Sequence, residues 1–266
     1  MMLHHYKIVF SDIDGTLLTD QHQVGEDTKR CIRRLASEGT LFVLVSARMP
    51  KGIYTIQKEI GIHAPIVAFS GGLILDMDGK AVYSIGIEKK PAIQLHDRIC
   101  AGWSDIACNT YSYDRWLVDD PADWRVMLEA EITGIIPQQG TIEEVIPEGE
   151  IVHKFLCMGE PERILDLEQH LQKWYPHLAV SRSTPEYLEI MNGQATKGQA
   201  VEILSRINGI SLADTIAFGD NFNDIDMLRT AGMGVAMANA PEEVKQSADR
   251  ITKSNNEEGI AWLMGQ

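Results

Sequence analysis

The sequence predicts an α/β protein: a parallel sheet flanked by helices, with an α+β segment inserted into it. Three observations carry this expectation. The first seventy residues read strand–helix–strand–helix–strand, the alternation of a parallel sheet. The same alternation resumes at Thr196 and runs to the end of the chain. Between the two, from about Gly86, strand-like pieces and two helical stretches follow one another in a different style, and much of the aromatic content lies there.

In chain order, Ile8-Val9-Phe10 is a short apolar run that reads as a buried strand. It leads into Ser11-Asp12-Ile13-Asp14-Gly15-Thr16-Leu17-Leu18. Alternate residues of a strand share a face, so Asp12 and Asp14 start out pointing the same way. Two carboxylates held that close repel unless a cation or a shared proton lies between them. Gly15 allows the backbone to leave the strand sharply and approach a ligand. A lone D-x-D at a strand end would be an ordinary turn; the pieces that follow give it a different meaning.

Residues 26–38 form a helix with Cys31, Ile32 and Leu35 on one face and Glu26 and Asp27 in its first turn. Gly39 stops it. Leu41-Phe42-Val43-Leu44-Val45 is continuously apolar, the mark of a strand covered on both faces. Pro50 opens the next helix, through about Ile60. Ile66-Val67-Ala68-Phe69 is a third strand, ending at Ser70-Gly71-Gly72, and residues 73–75 and 81–85 make a hairpin. The inserted segment has helices at 92–106 and 161–174 and strands at 107–113, 116–118, 151–158, 178–183 and 187–191. Beyond it come a helix from Thr196 to about Ile207, a strand Thr215-Ile216-Ala217-Phe218, a helix from about Asn223, a strand Gly234-Val235-Ala236, a helix from Pro241, a short strand at 249–252 and a last helix. Residues 1–85 and 192–266 are thus expected to form a discontinuous core, and 86–191 an inserted α+β domain.

The 266 residues can bury a sizeable core, and 44% hydrophobic with 23% charged residues is ordinary globular composition. A formal net charge of −14 argues against a nucleic-acid or anionic-membrane partner. Cys31, Cys100, Cys108 and Cys157 are scattered without a C-x-x-C pair and read as free, mostly buried thiols. No signal peptide or membrane span is read, so a cytoplasmic location is expected, as a monomer or a small homo-oligomer. His4 and His5 read as incidental rather than as a metal site.

Ligands of parallel α/β sheets bind beyond the carboxyl ends of the strands. Asp12, Ser46 and Asp220 each come directly off such an end, so three polar groups converge on one crevice. Thr196-Lys197-Gly198-Gln199 has the form of a capping box. That puts Lys197 in the first turn of a helix, where a cation is disfavoured unless an anion faces it.

The run D-x-D-G-T-L at Asp12, the Ser46-Ala47-Arg48 turn, Lys197 and the Gly219-Asp220-Asn221-Phe222-Asn223-Asp224 segment resemble the four motifs of the haloacid dehalogenase (HAD) superfamily, most closely its Cof-type phosphatases. The resemblance spans nearly the whole chain and implies a Rossmann-like parallel-sheet HAD core with an inserted α+β cap of C2B type. Such a cap closes over the site and excludes water. It further implies Asp12 as nucleophile through an aspartyl-phosphate and Asp14 as general acid/base. Mg²⁺ would be held by the Asp12 carboxylate, the Asp14 main-chain carbonyl and Asp220, an all-oxygen set. Phosphate would be contacted by Ile13, Ser46, Ala47, Lys197 and Asn223, with Asp224 and Thr16 supporting them. Asp226 reads as surface charge. Ala47 stands where the family pattern has Gly, and Ser70 where it often has Asn.

The implied reaction is hydrolysis of phosphomonoesters of small metabolites: sugar phosphates first, then pyridoxal phosphate or flavin mononucleotide. In the insert, Tyr111, Tyr113, Arg115 and Trp116 either meet the substrate or fill the segment's own core. Two other functions are compatible with parts of the pattern. A sugar-phosphate mutase would share motifs and cap type, and a non-catalytic phosphometabolite-binding protein would be expected to have lost Asp12 or Asp14.

Overall fold

A computed structural model describes residues 6–265; His4 and His5 lie outside the described residues. The chain divides into two compact units. The first is built from the segments up to Tyr83 and from Thr196 onward; the second is Ser84–Ala195.

The first unit holds an eight-stranded sheet. From one edge its strands are Arg250–Ile251, Met233–Ala236, Thr215–Gly219, Ile8–Asp12, Leu41–Val45, Ile66–Ala68, Leu73–Leu75 and Ala81–Ser84. The first six run parallel, and Leu73–Leu75 turns back antiparallel on Ile66–Ala68. The chain moves from the Ile8–Asp12 strand outward in one direction, then returns to its other side with Thr215–Gly219, so the strand order reverses there. In such sheets that reversal opens a crevice at the carboxyl ends. Ser11 lies opposite Phe218 and Asp12 opposite Val45, which places the ends of these three strands side by side.

The helices form for the reasons the sequence suggests. Glu26–Ser37 buries Thr28, Cys31, Ile32 and Leu35. Pro50–Ile60 starts on Pro50 and ends at Gly61 in the left-handed conformation, φ 80°. Lys197–Ile207 buries Ala200, Val201, Ile203 and Leu204, and these pack in one cluster with Ile8, Phe10, Val43 and Val67 of the sheet. The helix expected from Asn223 begins instead as a 3₁₀ turn, Phe222–Asp224, before Ile225–Thr230. Among the described residues no helix is long and apolar enough to cross a membrane.

The second unit has a six-stranded sheet in the order Leu178–Thr184, Tyr187–Asn192, Lys154–Met158, Ala107–Ser112, Arg115–Val118, Gln138–Gln139. Helices Lys89–Gly102 and Pro161–Trp174 supply Leu95, Ile99, Ile164, Leu167 and Leu171 to a core shared with Phe155, Leu188 and Ile190. Cys108 and Cys157 face each other across neighbouring strands with sulfurs 3.8 Å apart, and all four cysteines are free. Helix Trp124–Thr133 has no apolar stripe to mark it, because it buries only Val126 and exposes Trp124, Met127, Leu128 and Ile132; its local signals are the Asp123 cap, which accepts from Arg125 N–H, and Gly134 in the left-handed conformation at its end. The short helix Ile142–Val145 is marked by the capping box between Thr141 and Glu144.

The strand expected over 151–158 is broken at His153. Ile151–Val152 pairs with Ile87–Glu88, while Lys154–Met158 joins the larger sheet. The His153 ring explains the break. Its Nδ1 accepts from the Tyr113 main-chain N–H at 3.2 Å, which leaves Nε2 to donate to Ser84 Oγ at 3.0 Å. Tyr113, at φ 51°, lies in the two-residue turn between Ser112 and Arg115, which pair across the hairpin.

Burial pushes the His153 pKa down to about 4. Between that value and about 6.5 the unfolded chain binds a proton that the folded chain does not, so stability falls as the pH is lowered through this window and returns as it rises. Relative to a His153→Gln variant, wild type should lose about 3 kcal/mol of unfolding free energy between pH 7 and pH 4. Urea unfolding of both proteins across that range checks it; a difference that does not change with pH would refute the assignment.

Candidate active site

Lys197 sits at the centre of the crevice. It is the first residue of its helix and its side chain is fully buried. Thr196 caps the helix by accepting from Gln199 N–H at 3.2 Å. The return half of the expected capping box is absent: Gln199 Oε1 accepts from the Tyr83 hydroxyl instead. The positive helix end adds to the cost of burying an ammonium. Two carboxylates offset it: Lys197 Nζ donates to Asp12 Oδ1 and to Asp224 Oδ1, each at 2.5 Å.

Each partner is fixed in turn. Asp12 ends its strand and is buried. Asp224 Oδ2 accepts from the main-chain N–H groups of Asp220 and Asn221, both at 2.9 Å, so this one carboxylate shapes the turn that carries Asp220. Thr16 donates to Asp220 Oδ1 at 2.6 Å. Gly15 has φ 84°, and a Cβ there would run into the Asp220 carboxylate; only glycine fits. Its carbonyl accepts from Asn239 Nδ2 at 2.8 Å. Ile13 is buried and its carbonyl accepts from Leu17 and Leu18 N–H.

Asp14 is different. It is exposed, and Arg48 donates to both of its carboxylate oxygens, at 2.9 and 2.5 Å. Ser46 is buried, with its Oγ accepting from Arg48 N–H at 3.2 Å. Ala47 is half-buried and outside the left-handed region, so the alanine causes no backbone strain there. Ser70 does occupy that region, at φ 53°, where asparagine is better tolerated. Gly71 beside it, at φ 104°, lies against the main chain of Thr196 and has no room for a Cβ. Asn223 is exposed and lies outside the bonded cluster. In the second unit, Trp116 is buried, stacks on Tyr111 and donates its Nε1–H to Asn109. Arg115 is paired with Glu150.

Three residues escaped the sequence reading. Arg48 as the partner of Asp14 has only the motif-like turn to suggest it, and Asn239 has no signal. Asp226 is not plain surface charge: its Oδ2 accepts from Gly198 N–H at 2.8 Å and satisfies the start of the Lys197 helix.

The charge balance of the cluster bears on a metal. Asp12, Asp220 and Asp224 bring ligand oxygens within 4.8 Å of one another, against one buried ammonium. Burial pushes Asp12 well above the usual carboxylate range, with Lys197 pulling down and Asp224 and Asp220 adding repulsion. Burial likewise raises Asp220 to about 6. Burial alone would lower Lys197, yet Asp12 and Asp224 outweigh it and hold its pKa above the ordinary lysine value. Surplus negative charge on oxygen donors is the environment that a hard divalent cation satisfies. With both oxygens of Asp224 taken, Asp12 and Asp220 are the side chains left to hold one.

Residues 9–264 match the family model of haloacid dehalogenase-like hydrolases. The chain belongs to this family. A Haemophilus influenzae relative, whose name marks it as a presumed phosphatase, is 40% identical over 263 residues, covering 97% of each chain. The 5-amino-6-(5-phospho-D-ribitylamino)uracil phosphatase of Bacillus subtilis is 27% identical over 285 residues, covering 98% of this chain and 97% of that one. Among solved structures, a haloacid dehalogenase-like hydrolase from Bacteroides thetaiotaomicron superposes with a TM-score of 0.88 at 27% identity, covering 98% of both chains. The family's hydrolase chemistry and its parallel-sheet α/β fold therefore apply to this chain.

Removing the ammonium should leave buried carboxylates uncompensated. Lys197→Met is expected to lose roughly 3–5 kcal/mol of stability at pH 7. Asp12 would then have its folded-state pKa raised further above its unfolded value, so the variant gains stability as it protonates. The deficit should shrink at pH 5 in urea unfolding; a deficit that grows on acidification would contradict the assignment.

Proposed function

We propose that the chain is a Mg²⁺-dependent phosphomonoester hydrolase acting on small phosphorylated metabolites. Sugar phosphates are the first choice, with pyridoxal phosphate or flavin mononucleotide next. The observation that carries this reading is the ammonium of Lys197 fixed against Asp12 beside Asp220. A phosphoryl group transferred to Asp12 would meet that charge at once.

Lys197 binds Asp12 Oδ1, which leaves Oδ2 for in-line attack on phosphorus. The bond from phosphorus to the leaving oxygen breaks as the aspartyl-phosphate forms, and Asp14 delivers a proton to that oxygen. Asp14 must carry this proton to the leaving group, so its pair with Arg48 has to open in that step. Water then attacks the phosphorus of the intermediate, Asp14 takes its proton, and Asp12 is regenerated with release of inorganic phosphate. Ser46, the main chain at Ile13 and Ala47, and Asn223 are the candidates to bind the phosphate oxygens. Asp12, Asp220 and the Asp14 main-chain carbonyl would hold Mg²⁺, which when bound neutralises the charge that develops on the phosphoryl oxygens.

We read the second unit as a C2B-type cap that carries substrate choice. Tyr113 and Arg115 are the better candidates there, because Trp116 is committed to Tyr111 and Asn109. The phosphorylated ribityl compound named for the Bacillus subtilis relative supports small polyol-like phosphates as the first substrates to try.

Phosphate release from a panel of phosphorylated metabolites, with and without Mg²⁺, tests the reading. Asp12→Asn should lower turnover by roughly 10³-fold or more, and Asp14→Asn by about 10²–10⁴-fold. Isomerised product with no free phosphate would point to a mutase. No turnover of any compound by the folded protein would overturn the enzymatic reading.

A further inference from the structure

The helix Lys89–Gly102 places His96 and Cys100 one turn apart on the same face. Asp119, just past the strand Arg115–Val118, reaches the same spot. His96 Nε2 lies 3.3 Å from Asp119 Oδ2. Cys100 Sγ lies 3.8 Å from that oxygen, and 3.7 and 3.8 Å from Nε2 and Nδ1 of His96. All three residues belong to the second unit, and none has a part in the chemistry proposed above.

The separations among Nε2, Sγ and Oδ2 have the size of a coordination polyhedron, while Sγ stands as near to Nδ1 as to Nε2, so the His96 ring has to turn for its Nε2 lone pair to meet an ion shared with Sγ. A tetrahedral ion bound at about 2.0 Å to nitrogen and oxygen and about 2.3 Å to sulfur has ligand–ligand edges of about 3.3 Å between nitrogen and oxygen and about 3.6 Å to sulfur. We propose that His96, Cys100 and Asp119 form a binding site for Zn²⁺ or a divalent transition ion of similar softness. The donor set of one thiolate, one imidazole and one carboxylate fits such an ion and disfavours Mg²⁺ or Ca²⁺, which take oxygen. Binding breaks the Cys100 S–H bond and forms sulfur–metal, the proton leaving to solvent.

The surroundings suit the assignment. Cys100 is half-buried against the unit's apolar core, while the Asp119 side chain is half-exposed, so the fourth ligand position opens to water. The Asp119 carbonyl accepts from Gln139 Nε2 at 3.1 Å, which steadies the loop. An ion here would fasten the helix to the loop after the strand, and so stabilise the second unit.

The test is a Co²⁺ titration of the full-length protein in excess Mg²⁺, with Co²⁺ as a spectroscopic stand-in for Zn²⁺. One equivalent should produce a sulfur-to-cobalt charge-transfer band that added Zn²⁺ abolishes. The band should be lost in Cys100→Ser, weakened in Asp119→Asn, whose side chain is exposed enough to spare the fold, and unchanged in Asp12→Asn. Zn²⁺ should raise the thermal midpoint of wild type and raise that of Asp119→Asn less. Absence of the band, its survival in Cys100→Ser, or its loss in Asp12→Asn would each overturn the site. The readouts do not depend on phosphatase activity, so failure here is separate from failure of the hydrolase reading.

Discussion

The core is organised by one buried ammonium. Lys197 binds Asp12 across 185 residues of chain and Asp224 across 27, so a strand end, a helix start and a turn are tied at a single point. None of the three charges could be buried alone at reasonable cost. Together they form a network whose geometry depends on the sheet register, because Asp12 arrives where it does only if its strand lies between Leu41–Val45 and Thr215–Gly219. Folding of the discontinuous core and assembly of the site are therefore the same event.

From that point the constraints run outward. Asp224 gives one oxygen to Lys197 and the other to two main-chain N–H groups. The turn thus made presents Asp220, which Thr16 then holds. Gly15 is the complement of this arrangement, since any side chain there would displace the Asp220 carboxylate. Asp14 stands outside this frame, exposed and paired with Arg48 on the neighbouring turn. The contrast suits the two roles proposed for Asp12 and Asp14. A nucleophile gains from immobility, whereas an acid/base that serves a leaving oxygen and later a water must move between them.

Local signals account for what was legible in the sequence. Short runs of three to five mostly apolar residues followed by polar groups marked the strands of the parallel sheet, and with them Asp12, Ser46 and Asp220. A Thr cap followed by a lysine marked Lys197, because a cation at that helix end calls for an anion. The break at His153 was not legible, since its cause is a ring bonded to Ser84 and to Tyr113, distant in sequence. Nor was the Asp14–Arg48 pair, which joins two strand-end loops through tertiary structure. Asp226 read as solvent charge because nothing local shows that Gly198 N–H needs an acceptor. The exposed helix Trp124–Thr133 defeats periodicity altogether, having no buried stripe to detect.

The two candidate metal sites differ in a way that bears on both. In the core the donors are carboxylates crowded around an ammonium; in the second unit they are a thiol, an imidazole and one carboxylate. Hard and softer divalent ions separate on such ligands by donor type more than by overall affinity. The two proposed sites would therefore differ in the ion each prefers. A softer ion that strayed into the core would meet only oxygen, and Mg²⁺ in the second unit would meet sulfur and nitrogen in place of the octahedral oxygen shell it demands. Each site would then select its ion by the donor atoms that the fold brings together.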